Sequence, residues 1–306
     1  MLISPIPQAP NPAFGNGSDG AVTFDGSTDY ASFSSRSGST YTLTRSVYAT
    51  TIVVNNGVTV KTVGSGPTNM PIVARYSITN NGTISAKGAD ASGPTGGTSG
   101  GTTLIAGGIL QRGVSGGAGA TTNAVGSNGS SAFGSAVAQR GGAGGNGGAG
   151  TNAGGTAGTS AADRVDRGYV SGFLIVTGVA FSNANSPSSV TGGTGGGGGG
   201  CNGTDAAGGG GGEGGYPLSL IAPVIINNGT ITSAGGAGAA GATAGAGTGI
   251  AGGGGGGGGG CALIYAHSFV GTAPVVSGGS GGAGYNGGSA GAAGSAGNVI
   301  YLTNSN

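Results

Sequence analysis

In 306 residues the chain carries 81 Gly and 11 Pro, with nine Lys/Arg against eight Asp/Glu for a net charge of +1. Charge so sparse and balanced excludes electrostatic binding to nucleic acid or to an acidic membrane surface, and no apolar run reaches the ~18 residues of a membrane-spanning helix. Gly and Pro together near a third read as low complexity, but a charged fraction of only 6% sets the chain apart from disordered sequences, which usually carry much charge.

Residues 1–14 hold Pro5, Pro7, Pro10 and Pro12 and read as an extended attachment arm, because proline fixes φ and pushes its predecessor out of the helical region. The first residues lack a basic stretch and do not read as a signal peptide. Residues 15–92 read as a β-rich domain. Alternation marks strands at Tyr41–Arg45, Thr51–Val54, Val58–Val63 and Ile72–Ile78, separated by Asn and Gly. Asn55-Asn56-Gly57 and Asn80-Asn81-Gly82 are tight corners spaced at about one coil of a β-solenoid. A plain meander is the alternative. Asp19, Asp25 and Asp29 sit in Gly-rich loops and could offer oxygens to Ca²⁺, but their spacing is not that of a calcium loop. Solvated loop carboxylates are the simpler reading, and no metal is expected.

From residue 93 onward glycine dominates. Non-glycine residues fall at 143, 146, 149 and 152, and glycines at 235, 238 and 241 and at 278, 281, 284 and 287. After a slip of one residue the series continues at 288, 291, 294 and 297. A period of three matches the extended three-residue helix and neither the α nor the β period. The nine-glycine run Gly252–Gly260 would make ~28 Å of such a helix at about 3.1 Å per residue. It needs many close neighbours to bond its backbone. Strand-like segments lie between the tracts at 169–176, 218–226, 261–270 and 298–303. Ile226–Ile231 repeats Ile78–Ile84 almost residue for residue. The expected fold is therefore all-β or irregular with almost no α-helix: a β-solenoid-like or meander part over 15–92, then a glycine-rich bundle over 93–306.

Cys201 and Cys261 each follow a glycine run. They read as small buried residues, with a disulfide between them as the alternative, and two cysteines with one histidine are too few for a zinc site. His267 lies in an apolar, strand-like run and reads as structural rather than as a catalytic base. Matches to a phosphate-binding GxGxxG mean nothing in a polyglycine context. No catalytic constellation emerges, so the chain reads as a non-enzyme without a cofactor. The Asn-Gly-Ser/Thr triplets at Asn16, Asn81, Asn128, Asn202 and Asn228 are turn chemistry. Asp163, Arg164, Asp166, Arg167 and Tyr169 form the most site-like group, since Arg and Tyr are common in recognition surfaces. A local salt-bridged loop is the alternative.

Gly195–Gly200 and Gly252–Gly260, with the Asn-Asn-Gly-Thr-Ile corners between tracts, resemble the glycine-rich virion proteins of tailed bacteriophages. Over residues 93–306 the chain resembles, among these, the tail-fibre-tip adhesins built as sandwiches of polyglycine II helices. Residues 15–92 resemble instead the β-rich leading segment of other glycine-rich phage proteins. The resemblance implies a structural protein on the exterior of the virion, most simply a tail-fibre or adhesin component for host attachment. Its partners would be other virion proteins and a host receptor or glycan, the receptor met through loops at 162–169, 201–207 and 265–274. Independently of the resemblance, aromatics at 5% and no Trp leave a thin apolar core for a chain that must order 81 Gly, so the unit is expected to be held by other subunits, as a homotrimer or on a virion platform, with a self-sufficient monomer as the alternative. A capsid-decorating or head-fibre protein is the second reading. An ice-binding protein is the third, because three-period bundles can present flat, regular faces.

Overall fold

The computed structural model describes residues 14–62, 70–93, 110–111, 115–121, 123–129, 138–139, 147–150, 189–191, 193–202, 206–243 and 249–302. The fold is all-β, with helix limited among these residues to one 3₁₀ position at Phe14. In chain order the strands are β1 (Ala21–Phe24), β2 (Ser34–Ser37), β3 (Thr40–Leu43), β4 (Val47–Val54), β5 (Thr59–Lys61), β6 (Ile72–Asn80), β7 (Thr83–Ser85), β8 (Leu110–Gln111), β9 (Ala138–Gln139), β10 (Ser189–Thr191), β11 (Ala206–Ala207), β12 (Leu218–Ile221), β13 (Val224–Asn227), β14 (Thr230–Thr232), β15 (Ala242–Thr243), β16 (Cys261–Tyr265), β17 (Ser268–Gly271) and β18 (Asn298–Leu302).

Two sheets face each other. The larger runs β1-β4-β6-β12-β16-β18, with β13 beside β6 and β17 beside β13, and its pairs are parallel. The smaller runs β14-β7-β5-β3-β2 and is parallel except for the β2–β3 hairpin. Period-two alternation sends one side of every strand inward. Phe24, Ile52, Ile78 and Ile225 from the large sheet meet Tyr41, Val60, Ile84 and Ile231 from the small one in a single buried cluster. Each such side chain contributes roughly 1.5–3 kcal/mol on burial.

Asn-Gly corners join the two sheets. Gly57 takes φ +76°, which glycine adopts without strain. Gly82 is glycine for want of space, since a Cβ there would collide with the carbonyl oxygens of Asn55 and Val58 in the corner below. The repeated hexapeptide stacks on its twin in register, Asn80 against Asn227 and Ile84 against Ile231. Both sheets therefore continue past the boundary expected near residue 92. β12, β13, β14, β16, β17 and β18 extend layers begun by the N-terminal strands.

Glycine tracts extend from the same layers. β7 and β14 run on into residues 86–93 and 233–241, while residues 206–217, 249–260 and 288–297 lead back into β12, β16 and β18. At the centre lies Gly252–Gly260. All nine of its N–H groups donate to backbone carbonyls at 2.7–3.0 Å, and the recipients rotate in threes. Gly252, Gly255 and Gly258 donate to Gly200, Gly197 and Thr194; Gly253, Gly256 and Gly259 to Ser289, Ala292 and Ser295; Gly254, Gly257 and Gly260 to Ala239, Gly236 and Ser233. Its carbonyls accept from three further tracts, through Gly209, Gly212 and Gly215, through Gly279 and Gly282, and through Gly148. None of these nine glycines has a positive φ. The lack of a Cβ is what matters: at Gly256 it would stand 2.5 Å from the Gly279 carbonyl carbon and closer to its oxygen.

Candidate functional site

The polar groups singled out in the sequence are used locally. Asp19 accepts both Nη atoms of Arg45, at 2.7 and 3.0 Å, and the Tyr48 N–H at 2.8 Å. The Arg45 hydrogen bond, aided by that amide, holds its carboxyl below the usual range against the opposing effect of burial. Asp25 accepts the N–H groups of Thr28 and Ser27 and the Thr28 hydroxyl, and these bonds also lower its pKa. Asp29 pairs with Arg36 at 2.6 Å. The three carboxylates serve three separate contacts, and among the described residues no group of three or more His, Cys, Asp or Glu could hold a metal ion. His267 is exposed, its ring edge-on to Phe14 at 5.0 Å, and its backbone N–H donates to the Pro223 carbonyl.

Glu213 interrupts a glycine tract and is buried. Its carboxylate accepts the Ala89 N–H at 2.7 Å and the Tyr216 hydroxyl, tying residues 206–216 to the tract that follows β7. Burying a carboxylate is tolerable only with such partners.

The two cysteines are buried and not disulfide-bonded, and the disulfide alternative fails on position. Cys201 forms bridges with Ala124 and Ala251, whereas Cys261 begins β16 beyond the nine-glycine run. The whole nine-residue run lies between the Cys201–Ala251 bridge and Cys261, while a disulfide requires Cα atoms within ~7 Å. Residues 193–200 and 252–260 run antiparallel, as the descending recipients Gly200, Gly197 and Thr194 show. The cysteines that follow the two runs therefore lie at opposite ends of the paired tracts.

That geometry defines the distal tip as the candidate site. Ala120, Cys201, Ala206 and Ala251 form a small buried cluster there, joined by Ala124 and Tyr285. β11 and β15 pair antiparallel beside it. Asn202 exchanges two hydrogen bonds with Ile250, donating its N–H at 3.0 Å and accepting on Oδ1 at 2.7 Å. The chain then reverses through Asn286 and Gly287, with φ +48° and +88°, and the Gly288 N–H closes the turn on the Tyr285 carbonyl at 2.9 Å. These are the central residues of a type I′ turn. Asn286 Nδ2 also donates to the Gly249 carbonyl at 3.3 Å, and Val125 is exposed nearby in sequence to the Ala124 bridge. The described tip residues carry no charge. Such a surface can recognise a ligand through amides, an aromatic edge and small apolar groups.

Of the loops implied by resemblance, the described part of 201–207 lies at this tip. Residues 265–274 lie at the other end, where Tyr265 and Phe14 stack at 5.2 Å. Asp163, Arg164, Asp166, Arg167 and Tyr169 fall outside the described residues. Tyr285 and Asn286 were missed as site residues, although the slip in the glycine period at 287–288 marks their turn. No family model, curated protein or solved structure matches this chain.

Proposed function

We propose that the protein is a non-enzymatic structural component of the exterior of a bacteriophage particle, a tail-fibre or adhesin subunit that presents the distal tip to a host-surface receptor or glycan. In this reading the facing sheets are a short β-solenoid and the tracts are polyglycine II helices in a hexagonal array. One observation carries it: nine consecutive N–H groups bonded in threefold rotation to three neighbouring tracts, while three others donate back. A three-residue helix with outward amides produces that rotation, and a bundle so bonded is a stiff support for short loops at its end. Other virion proteins would hold the subunit at the sheet end, through residues 1–14 and neighbouring copies.

The test is to add purified protein to host cells before infection and to image labelled protein-specific antibody on purified particles. Reduced adsorption with label at a tail or fibre tip is the expected result. Label over the capsid with undiminished adsorption would move the protein to the capsid-decorating alternative. Unlabelled particles would overturn the virion reading. Thermal hysteresis in the purified sample would favour ice binding instead.

A further inference from the structure

The two ends of the stacked sheets are finished differently. At the first end the outer edge of β1 is closed by a side chain: the Tyr30 hydroxyl accepts the Thr23 N–H at 3.0 Å and donates to the Thr23 carbonyl at 2.9 Å. The β2–β3 hairpin ends the small sheet antiparallel, and the Arg36–Asp29 and Arg45–Asp19 pairs set charge around it. Phe24, Phe33 and Tyr41 seal the core beneath and are buried. These are the devices by which proteins keep sheet edges from pairing.

At the last end the described residues hold no such device. β18 pairs only with β16, and β17 only with β13. Tyr301 lies opposite the core residue Ile264, yet is 46% exposed with its ring edge-on to Phe269. Val270 and Val275 on the same last layer are also exposed. β18 contains neither proline nor charge, and no Lys, Arg, Asp or Glu follows Glu213 anywhere in the chain.

We propose that this end is an interface with a second copy of the chain, β18 pairing antiparallel with β18 of the copy about a two-fold axis. Three observations select that occupant. The closed first end blocks head-to-tail stacking, so the open edges available on another molecule are those of the same last layer, β17 and β18, and β18 is the longer of the two. An uncharged end also meets itself without like-charge repulsion, which would oppose a self-complementary contact between charged surfaces. The adjoining tract confines the joint to the strands, because Ala290, Ala293 and Ala296 are exposed there. A Cβ at a tract-facing position collides with the neighbouring carbonyl, as at Gly291 and Gly294, so these Cβ atoms prevent a further tract from packing equally close. The inference does not depend on where the protein sits in a particle, and it puts a dimer in place of the homotrimer expected from the thin core.

Sedimentation equilibrium of the full chain at tens of micromolar should give twice the 27.7 kDa of one chain. Tyr301→Lys should raise the dimer dissociation constant at least tenfold, with an unchanged circular dichroism spectrum because the side chain is already half exposed. Tyr76→Ser, at an exposed position on β6 away from the end, should leave the dimer intact. Hydrogen exchange should protect the outward amides of β18 in the wild type and release them in Tyr301→Lys. A wild-type monomer, a trimer, a Tyr301→Lys dimer of unchanged affinity, or β18 amides that exchange alike in both proteins would each overturn the proposal.

Discussion

Gly256→Ala is the sharpest perturbation the bonded glycine tracts allow. The alanine would be unstrained in its own backbone, since Gly256 has no positive φ, so any penalty must come from its neighbours. Its Cβ would stand 2.5 Å from the Gly279 carbonyl carbon, closer to the Gly279 oxygen and 2.8 Å from the Ser280 oxygen. Ordinary carbon–oxygen contacts begin at about 3.3 Å, so the neighbouring tract must retreat by roughly an ångström. That tract cannot move freely. The Gly279 and Gly282 N–H groups bond Gly257 and Gly254 at 2.8 Å, while its Ser277 and Ser280 carbonyls accept from Gly235 and Gly238. Losing one or two of these buried bonds costs ~1–3 kcal/mol each, and overpacking adds ~1–3 kcal/mol. The stiffer unfolded chain returns only about 0.4–1 kcal/mol. The expected loss is about 3–5 kcal/mol, a large share of the roughly 5–15 kcal/mol typical of a folded domain. Guanidinium unfolding followed by circular dichroism measures it. On the outer tract, Ala293→Ser should stay within ~0.5 kcal/mol of wild type because Ala293 is exposed, whereas Gly294→Ala one residue later should not, its Cβ standing 2.6 Å from the Gly257 carbonyl carbon. A Gly256→Ala protein as stable as the wild type would refute the close-packed tract geometry.

The same structure fixes three further outcomes. Oxidation of the folded protein should leave Cys201 and Cys261 unlinked within a chain, so thiol titration after denaturation should count two free thiols per molecule. Asn80→Ala should destabilise by about 2–3 kcal/mol, because Asn80 Nδ2 donates to Asn227 Oδ1 at 2.7 Å and to the Thr230 carbonyl at 3.1 Å inside the stack; equal unfolding midpoints for mutant and wild type would count against that buried ladder. Asp19 has its folded pKa lowered, first through Arg45, so its contribution is present above the unfolded value of about 3.9 and is lost as pH falls through the folded value. Stability measured at pH 7 and pH 2.5 should therefore differ less in Asp19→Asn than in the wild type, and an identical difference would remove Asp19 from the account.

What the sequence made legible was whatever a local pattern could encode. β-branched alternation marked Thr51–Val54 and Ile72–Ile78, which fall within β4 and β6, and the duplicated Asn-Asn-Gly-Thr-Ile announced two segments that stack in register although Asn80 and Asn227 are 147 positions apart. The limit came with connectivity. Nothing local says that β12 and β16 continue a sheet begun by β1 and β4, because that pairing depends on long excursions returning to the same layer. Cys201 and Cys261 looked equivalent because each follows a glycine run, and only the opposite directions of the runs separate them. The aspartates at 19, 25 and 29 looked like a cluster because they are close in sequence, but each is claimed by a different partner.

Glycine spacing, in contrast, carries more structural information than its period alone. In residues 288–297 only Gly288, Gly291, Gly294 and Gly297 meet neighbouring carbonyls, and the Ser and Ala residues between them are exposed. In residues 278–284 two positions in three are glycine, with Ser280 and Ala283 exposed. In residues 252–260 every position is glycine, and six tracts surround the run. In these three tracts a Cβ is tolerated where a side of the three-residue repeat faces water, and glycine stands where it faces another backbone, whereas Thr194 and Glu213 carry a Cβ at buried positions of two other tracts. Within these three the number of glycines per triplet follows the sides on which the tract is enclosed: one for residues 288–297, two for 278–284, three for 252–260. By the same rule the outward alanines of residues 288–297 mark the side of that tract on which no described neighbour lies.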